Sequence, residues 1–259
     1  MGKIVAITNQ KGGVGKTTTA VNLAACLGAE GKKILVVDID PQGNTTSGFG
    51  INKRDVKLTS YEMIVKNVPA KDVILHTTSK NVDIIPANIQ LSGADMSLMD
   101  MDNRHMQLKR ALVEVKADYD YIIMDFPPAL GLIHINGLVA ADTVIIPVQP
   151  EYYALEGMSQ LIQTFKKVKG QYNPLLEIEG VVLTMCDMRL NLTMQVVEEI
   201  KKYFGNKVYK TSIPRTVRLS EAPSFGQPVI YYDRSNRGTE AYTALAKEFL
   251  MRNGDRANG

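Results

Sequence analysis

A glycine-rich segment wedged between an apolar run and a helical pattern constrains this chain more than any other stretch. Gln10-Lys11-Gly12-Gly13-Val14-Gly15-Lys16-Thr17-Thr18 follows Ile4–Thr8 and opens the pattern Lys16–Ala29. A glycine turn between strand and helix is the setting of a phosphate-binding loop. Gly12, Gly13 and Gly15 let backbone N–H groups approach anionic oxygens without a Cβ in the way. A helix starting near Lys16 offers unpaired N–H groups and the positive end of its dipole. The Lys16 ammonium suits the β and γ phosphates of a nucleotide, and the Thr17 hydroxyl suits a Mg²⁺ ligand. One feature departs from the usual G-x-x-x-x-G-K-T spacing. Gln10 stands where the first glycine falls, and a second lysine, Lys11, precedes the glycine pair. Lys11 can reach phosphates in its own subunit or in a neighbour, or stand as a solvated loop lysine. The segment Lys11, Gly12, Gly13, Val14, Gly15, Lys16, Thr17 and Thr18 is the expected nucleotide-binding set.

The rest of the chain supplies a matching architecture. Short β-branched runs at Ile4–Thr8, Ile34–Asp38, Val82–Pro86, Tyr121–Asp125, Val144–Pro147, Gly180–Thr184 and Val208–Ser212 read as strands. Most carry apolar residues on both faces, as buried parallel strands do. Helical patterns at Lys16–Ala29, Leu91–Lys116, Leu155–Gly170 and Asn191–Phe204 lie between them. The alternation predicts right-handed βαβ units. The expected fold class is α/β, a doubly wound, mostly parallel sheet with helices on both faces, of the P-loop NTPase type. It forms a single domain over residues 1–252 with a polar tail at 253–259. A last helix at Thr239–Arg252 places Tyr242, Leu245, Ala246, Phe249 and Leu250 on one face. That face reads as docked on the core rather than as a membrane-surface anchor.

Ligands of doubly wound sheets bind beyond the carboxyl ends of the strands, so acidic residues there carry weight. Ile34–Asp38 ends in Asp38, with Asp40 just beyond in Asp40-Pro41-Gln42-Gly43-Asn44, a turn-prone segment. A carboxylate at this place can hold a Mg²⁺ water or orient an attacking water. Tyr121–Asp125 is a second apolar strand ending in a carboxylate, followed by Phe126-Pro127-Pro128. Asp125 is the expected partner of Mg²⁺, with Thr17 and Asp38 as the other metal-site candidates.

Composition excludes several classes. The 259 residues hold 30 Lys plus Arg and 27 Asp plus Glu, a net charge of +3 that neither requires nor repels nucleic acid. Cys26 and Cys186 are the only cysteines, too few for a disulfide scaffold or a four-cysteine metal site. His76, His105 and His134 show no metal-ligand spacing. No apolar run approaches the roughly 18 residues of a transmembrane helix, and no signal-peptide pattern is present. A cytoplasmic protein is expected.

The loop motif and both acidic strand ends resemble those of the ParA/MinD family of P-loop ATPases, whose phosphate loop is the deviant Walker A motif. The resemblance runs from Lys3 to about Phe249 and is closest to the chromosomal partition branch. It implies ATP and Mg²⁺ as cofactors. The lysine matching Lys11 crosses a dimer interface to the phosphates of the partner's ATP, giving an ATP-dependent homodimer. The counterpart of Asp40 positions the hydrolytic water, so Lys11, Lys16 and Asp40 are the expected catalytic residues. Asp125-Phe126-Pro127-Pro128-Ala129-Leu130-Gly131 carries Ala129 where the family commonly has Ser. On residue chemistry Pro147–Gly157 reads as a strand–helix connection with Tyr152 and Tyr153 packed beneath it, and the resemblance implies a dimer-contact loop near the nucleotide. Within Ser212–Pro223, Pro214 and Thr216 match positions that line the adenine, with Thr216 where Asn is frequent. Arg189 and Arg218, read from the residues alone as surface ion-pair partners of a nearby Glu or Asp, match arginines that bind double-stranded DNA without sequence preference. The resemblance further implies slow hydrolysis accelerated by a ParB-type centromere-binding partner, and a nucleoid-associated protein with no stable membrane association. No helix-turn-helix region precedes the loop, so site-specific operator binding is not expected. A MinD-like, membrane-cycling division-site ATPase is the alternative, against which 253–259 is a poor amphipathic tail. A metabolic enzyme activating a small carboxylate needs an acceptor pocket for which no motif is present. The iron-protein reductases need paired cysteines that Cys26 and Cys186 do not match.

Overall fold

Strands that are apolar on both faces need cover on both sides, and the chain provides it. The computed structural model describes residues 2–152 and 154–255. Among these, the strands are β1 (Lys3–Ile7), β2 (Ile34–Asp38), β3 (Leu75–His76), β4 (Val82–Ile85), β5 (Tyr121–Asp125), β6 (Thr143–Val148) and β7 (Glu177–Leu183). They form one sheet in the order β3-β4-β2-β5-β1-β6-β7. All pairs are parallel except β3 with β4 at the edge. The helices are α1 (Lys16–Ala29), α2 (Asn44–Gly48), α3 (Ser60–Val65), α4 (Ala70–Val73), α5 (Ala94–Met99), α6 (Gln107–Val113), α7 (Leu132–Ala140), α8 (Ala154–Gln171), α9 (Asn191–Phe204), α10 (Val217–Glu221), α11 (Val229–Tyr232) and α12 (Arg237–Arg252).

The two faces of the sheet feed two cores. In β1, Ile4 and Ala6 join one core while Val5 and Ile7 join the other. The same alternation separates Leu35 and Val37 from Ile34 and Val36 in β2. Helices α3 and α5 to α9 cover the first face, and α1, α11 and α12 cover the second. Helix α1 is buried nearly all round, with Ala20, Leu23, Ala24 and Leu27 inaccessible. The expected apolar face of the last helix is buried against it: Tyr242, Leu245, Ala246, Phe249 and Leu250 are at most 1% exposed. The Tyr242 hydroxyl lies 3.2 Å from Thr19 Oγ1. That face is part of the core. Beyond it, Asn253 donates to Glu179 and Asp255 pairs with Lys32 and accepts from the Tyr121 hydroxyl. Both cysteines are buried thiols, and no helix among the described residues is long and apolar enough to cross a membrane.

The structure adds helices the sequence reading lacks, α2, α3, α4, α7, α10 and α11, and differs from it in three further places. Leu91–Lys116 is not one helix but a 3₁₀ turn at Ile89–Gly93, then α5, a turn and α6. The break falls at Asp100-Met101-Asp102-Asn103, where Asn103 takes φ 52°. Asp and Asn side chains favour such turns by competing for backbone groups. The Asp102 carbonyl is taken by the Gln107 side-chain amide at 2.8 Å. Val208–Ser212 contributes only a single bridge from Val208 to Val181. The backbone N–H groups of Lys210 and Thr211 donate instead to the Glu248 carboxylate of α12, at 2.8 and 2.9 Å. Tyr209 and Ile213 N–H still donate to Val181 and Leu183 of β7, while the charge-assisted bonds to Glu248 take the two groups between them. The short antiparallel strand β3 was not expected at all.

Close packing makes some positions intolerant. A Cβ on Gly28, near the end of α1, would sit 2.3 Å from the Lys80 carbonyl oxygen and 2.7 Å from Val82 Cγ2. Gly28→Ala gains helix propensity of about 0.5–1 kcal/mol but incurs an overpacking cost of about 1–3 kcal/mol. A net loss of about 1–2 kcal/mol is expected in chemical denaturation; an unchanged midpoint would show that α1 can shift from the sheet.

Candidate functional site

The carboxyl ends of β1, β2 and β5 meet at one place. Ile7 is in register with Asp125, and Asp125 with Asp38. From β1 the sheet extends to β5 and β2 on one side and to β6 and β7 on the other, so the crevice lies at the topological switch point. A cavity of about 580 Å³ opens there, a volume typical of small-molecule sites.

The phosphate loop forms its floor. Asn9 anchors the loop twice: its side-chain amide donates to the Pro147 carbonyl at 2.8 Å, and its Oδ1 accepts from Lys11 N at 3.0 Å. Thr184, just past β7, donates to the Val14 carbonyl at 2.8 Å. Val14 itself is buried. Gly13 and Gly15 adopt φ of 74° and 84°, a left-handed backbone that side chains resist. Nothing lies within 4 Å of where a Cβ on Gly12 or Gly13 would stand, and both glycines line the cavity. Gly15, Lys16, Thr17 and Thr18 also line it. The Lys16 ammonium bridges the loop to the Lys11 carbonyl at 3.1 Å. Burial lowers its pKa, and Asp125 and Asp40 act against that.

Lys11 points elsewhere. It does not line the cavity; its ammonium pairs with Glu151 at 2.8 Å. Glu151 also accepts from the Gln149 amide at 2.6 Å. The resembled contact loop is therefore tied to the phosphate loop within one chain. Tyr152 is largely exposed, and Tyr153 lies outside the described residues.

The three carboxylates have different surroundings. Asp125 is fully buried, and its Oδ2 accepts from Thr17 and Thr45 hydroxyls, each at 2.7 Å. Its Oδ1 has no hydrogen-bond partner among the described residues. Burial, aided by Asp38, raises its pKa to about 7 against the two hydroxyls. A buried carboxylate with one unmet oxygen beside a threonine hydroxyl and a lysine fits an oxygen-seeking divalent cation. Asp38 is likewise buried, yet both its oxygens are used: Oδ2 accepts from Thr46 N–H and hydroxyl at 2.9 and 2.7 Å, and Oδ1 from Asp40 N–H at 3.1 Å. Burial still raises its pKa to about 6. Asp38 thus spends its acceptors on the loop that follows it. Asp40 lines the cavity and accepts from Gln42 N–H at 2.9 Å.

The far wall comes from the second half of the chain. Pro214 and Thr216 line the cavity with Arg215 and Met185. The Thr216 hydroxyl accepts from Leu219 N–H at 3.3 Å, capping α10. Met185 takes φ 48°, a conformation few side chains tolerate. Cys186 N–H donates to the Ile213 carbonyl at 3.0 Å and ties this wall to the end of β7. The two other expected arginines lie outside the cavity, on the surface. Arg189 makes a bidentate pair with Asp187 at 2.8 and 2.6 Å. Arg218 pairs with Glu221 at 2.9 Å and Asp233 at 3.2 Å, over the Tyr232 ring.

Sequence reasoning did not single out Thr45, Met185, Arg215 or Glu151 as site residues. Thr45 directly follows the Asp40–Asn44 turn, and a hydroxyl one residue past such a turn was the available signal. Met185 had none, because nothing in a methionine announces positive φ.

A family model described as an AAA domain matches residues 2–178. The chain is 61% identical to the sporulation initiation inhibitor protein Soj of Bacillus subtilis over 96% of its own length and 98% of the relative's. It is 49% identical to the chromosome partitioning protein ParA of Myxococcus xanthus, over 97% and 89%. Among solved structures, cobyrinic acid a,c-diamide synthase of Mycobacterium smegmatis with bound ADP and magnesium superposes with a TM-score of 0.85 at 32% identity, covering 99% of this chain and 98% of that one. The septum site-determining protein MinD of Pyrococcus horikoshii complexed with Mg-ADP gives 0.79 at 26%, covering 96% of each.

Folded-state pKa values raised above the unfolded value of 3.8 mean that the protonated acids favour folding. Their stabilisation is full below about pH 4 and is lost as pH rises through about 6 to 7. Asp125→Asn removes one of these charges. It should therefore be more stable than the parent near pH 8, by at least about 1 kcal/mol, the equivalent of one pKa unit. The difference should vanish near pH 4. Thermal melts across that range check this, and a variant less stable at every pH would refute the sign.

Proposed function

The chain belongs to the ParA/Soj family of P-loop ATPases, and from that membership we propose that it is a DNA-partition switch driven by ATP. ATP and Mg²⁺ are its cofactors. The observation that carries the proposal is the divergence of the two loop lysines: Lys16 stays over the loop's own floor, while Lys11 projects away from the cavity to Glu151. A cation built into the phosphate loop but turned away from its own phosphates is suited to another subunit's.

In this scheme the N–H groups from Gly12 to Thr18 and the Lys16 ammonium bind the β and γ phosphates. Pro214 and the backbone near Thr216 flank the adenine. Thr17 and the unmet oxygen of Asp125 hold Mg²⁺, which neutralises phosphate charge when bound. Asp38 fastens the loop that carries Asp40. Asp40 orients the water that attacks the γ phosphate and accepts its hydrogen bond. Lys11 exchanges Glu151 for the partner subunit's ATP, so the triphosphate joins two chains. Arg189 and Arg218, two per subunit and four per pair, bind DNA phosphates without reading bases. Hydrolysis, accelerated by a ParB-type partner, separates the pair and releases the DNA. A cytoplasmic protein that cycles on the nucleoid follows from this scheme.

Two other readings have less support. The apolar face of α12 is core, so a MinD-like membrane cycle lacks its amphipathic anchor among the described residues. The diamide synthase likeness supports the nucleotide site, but at 32% against 61% it is outweighed by the partition relatives.

Light scattering with saturating ATP and Mg²⁺ tests the scheme. A dimer is expected with ATP, a monomer with ADP or with Lys11→Ala, and no nucleotide binding by Lys16→Ala. Asp40→Ala should trap the ATP dimer on duplex DNA. Arg189→Glu combined with Arg218→Glu should keep the dimer and lose DNA binding. A parent protein that stays monomeric in ATP with turnover blocked would overturn the proposal.

A further inference from the structure

Helix α7 carries a histidine for which the nucleotide chemistry above has no use. His134 lies in its first turn and is fully buried. Its ring meets Phe126 edge-on, with centroids 4.9 Å apart at 75°. Its Nε2 lies 3.5 Å from Thr8 Oγ1. Its Nδ1 has no partner of hydrogen-bonding geometry among the described residues. Burial lowers its pKa to about 4, with the nearby Lys16 ammonium adding to that and the Ala129 carbonyl opposing it. The ring is therefore neutral at physiological pH.

The neighbours of His134 are the ends of the site strands. Thr8 joins β1 to the phosphate loop. Phe126 directly follows Asp125. One turn further along α7, a Cβ on Gly137 would sit 2.2 Å from the Phe126 ring and 3.0 Å from Ile39 Cδ1. Ile39 stands between Asp38 and Asp40, and its N–H donates to the Asp125 carbonyl at 3.1 Å. The start of α7 thus underlies the loops after β1, β2 and β5 together. In such an apolar bed an imidazole with an unmet nitrogen is less stable than a phenyl ring of similar volume. An unmet buried nitrogen beneath three site loops breaks a packing rule, and such breaks are expected at functional sites.

We propose that His134 is a positioning residue for hydrolysis, its imidazole tying the loop after β5 to the end of β1 so that Asp125 and the phosphate loop keep register. It acts through the Nε2 contact with Thr8 and the ring contact with Phe126, and touches no phosphate. The assignment rests on the proposed ATPase reading.

The test compares His134→Phe and His134→Gln with the parent, in the full chain. Phe keeps the ring contact and removes both nitrogens; Gln keeps a polar head. The expected result for Phe is a melting temperature equal to or above the parent's, ATP affinity within about twofold, and a kcat about tenfold lower. The Gln variant should recover kcat to within about threefold of the parent. A Phe variant with the parent's kcat overturns the proposal. So does a Phe variant that loses melting temperature and kcat together, because that is the mark of packing alone. If the parent itself hydrolyses no ATP, the ATPase reading falls, and that result is separate from either variant.

Discussion

A fully buried carboxylate at the end of an apolar strand is the constraint around which this molecule is organised. Asp125 closes β5, the strand that lies between β1 and β2, where no side chain reaches solvent. An ionised carboxylate in such a place is strongly unfavourable unless paired. The chain meets half of that need with the Thr17 and Thr45 hydroxyls and leaves Oδ1 open. In the proposed scheme a Mg²⁺ ion would meet the open oxygen. The same desolvation raises Asp38, but Asp38 is fully hydrogen-bonded to its own loop. Two carboxylates in register therefore do different work: one secures backbone, the other waits for a cation.

The loops that serve the site are held by hydrogen bonds from distant parts of the chain. Asn9 reaches Pro147, Thr184 reaches Val14, and Thr46 accepts from Ala87 N–H. Each joins the loop at one strand end to another strand of the sheet or the segment beyond it. Their geometry depends on the sheet's register, which the interleaved Val, Ile and Leu side chains of both cores fix. Positioning thus comes from the apolar sheet, while the chemistry comes from the residues just beyond it. Gly13 and Gly15 give the phosphate loop its left-handed backbone, the kind of conformation from which anion-binding concavities are made.

The parts legible in the sequence are those that follow from short-range physics. Two-faced apolar runs announced the parallel sheet, and glycines before Lys16 announced the anion site. The runs that failed did so for long-range reasons. Val208–Ser212 has the composition of a strand, but Glu248, some 40 residues on, captures its N–H groups at Lys210 and Thr211. Leu91–Lys116 has helical spacing at both ends, and an Asp/Asn turn in the middle breaks it, with Asn103 in a left-handed conformation. In the site, Lys11 and Asp40 were visible as chemistry but not as contacts. No sequence pattern states that Lys11 meets Glu151, or that Asp38 rather than Asp40 takes the Thr46 hydroxyl.

The same distinction explains how charge is stored on the surface. Lys11, Arg189 and Arg218 are each neutralised by carboxylates of their own chain, and all three pairs are well exposed to solvent. Exposed pairs of this kind are worth little, because water screens them. They can therefore be exchanged for phosphate contacts at small cost, which a buried pair cannot. With Asp187, Glu221 and Asp233 beside them, two arginines in one subunit present almost no net positive field. In the proposed dimer a second subunit would add two more arginines and fix their spacing, giving the same residues multivalent reach without any change in charge. Weak, exposed, self-satisfied pairs are thus the physical form that a DNA grip should take when it has to depend on assembly.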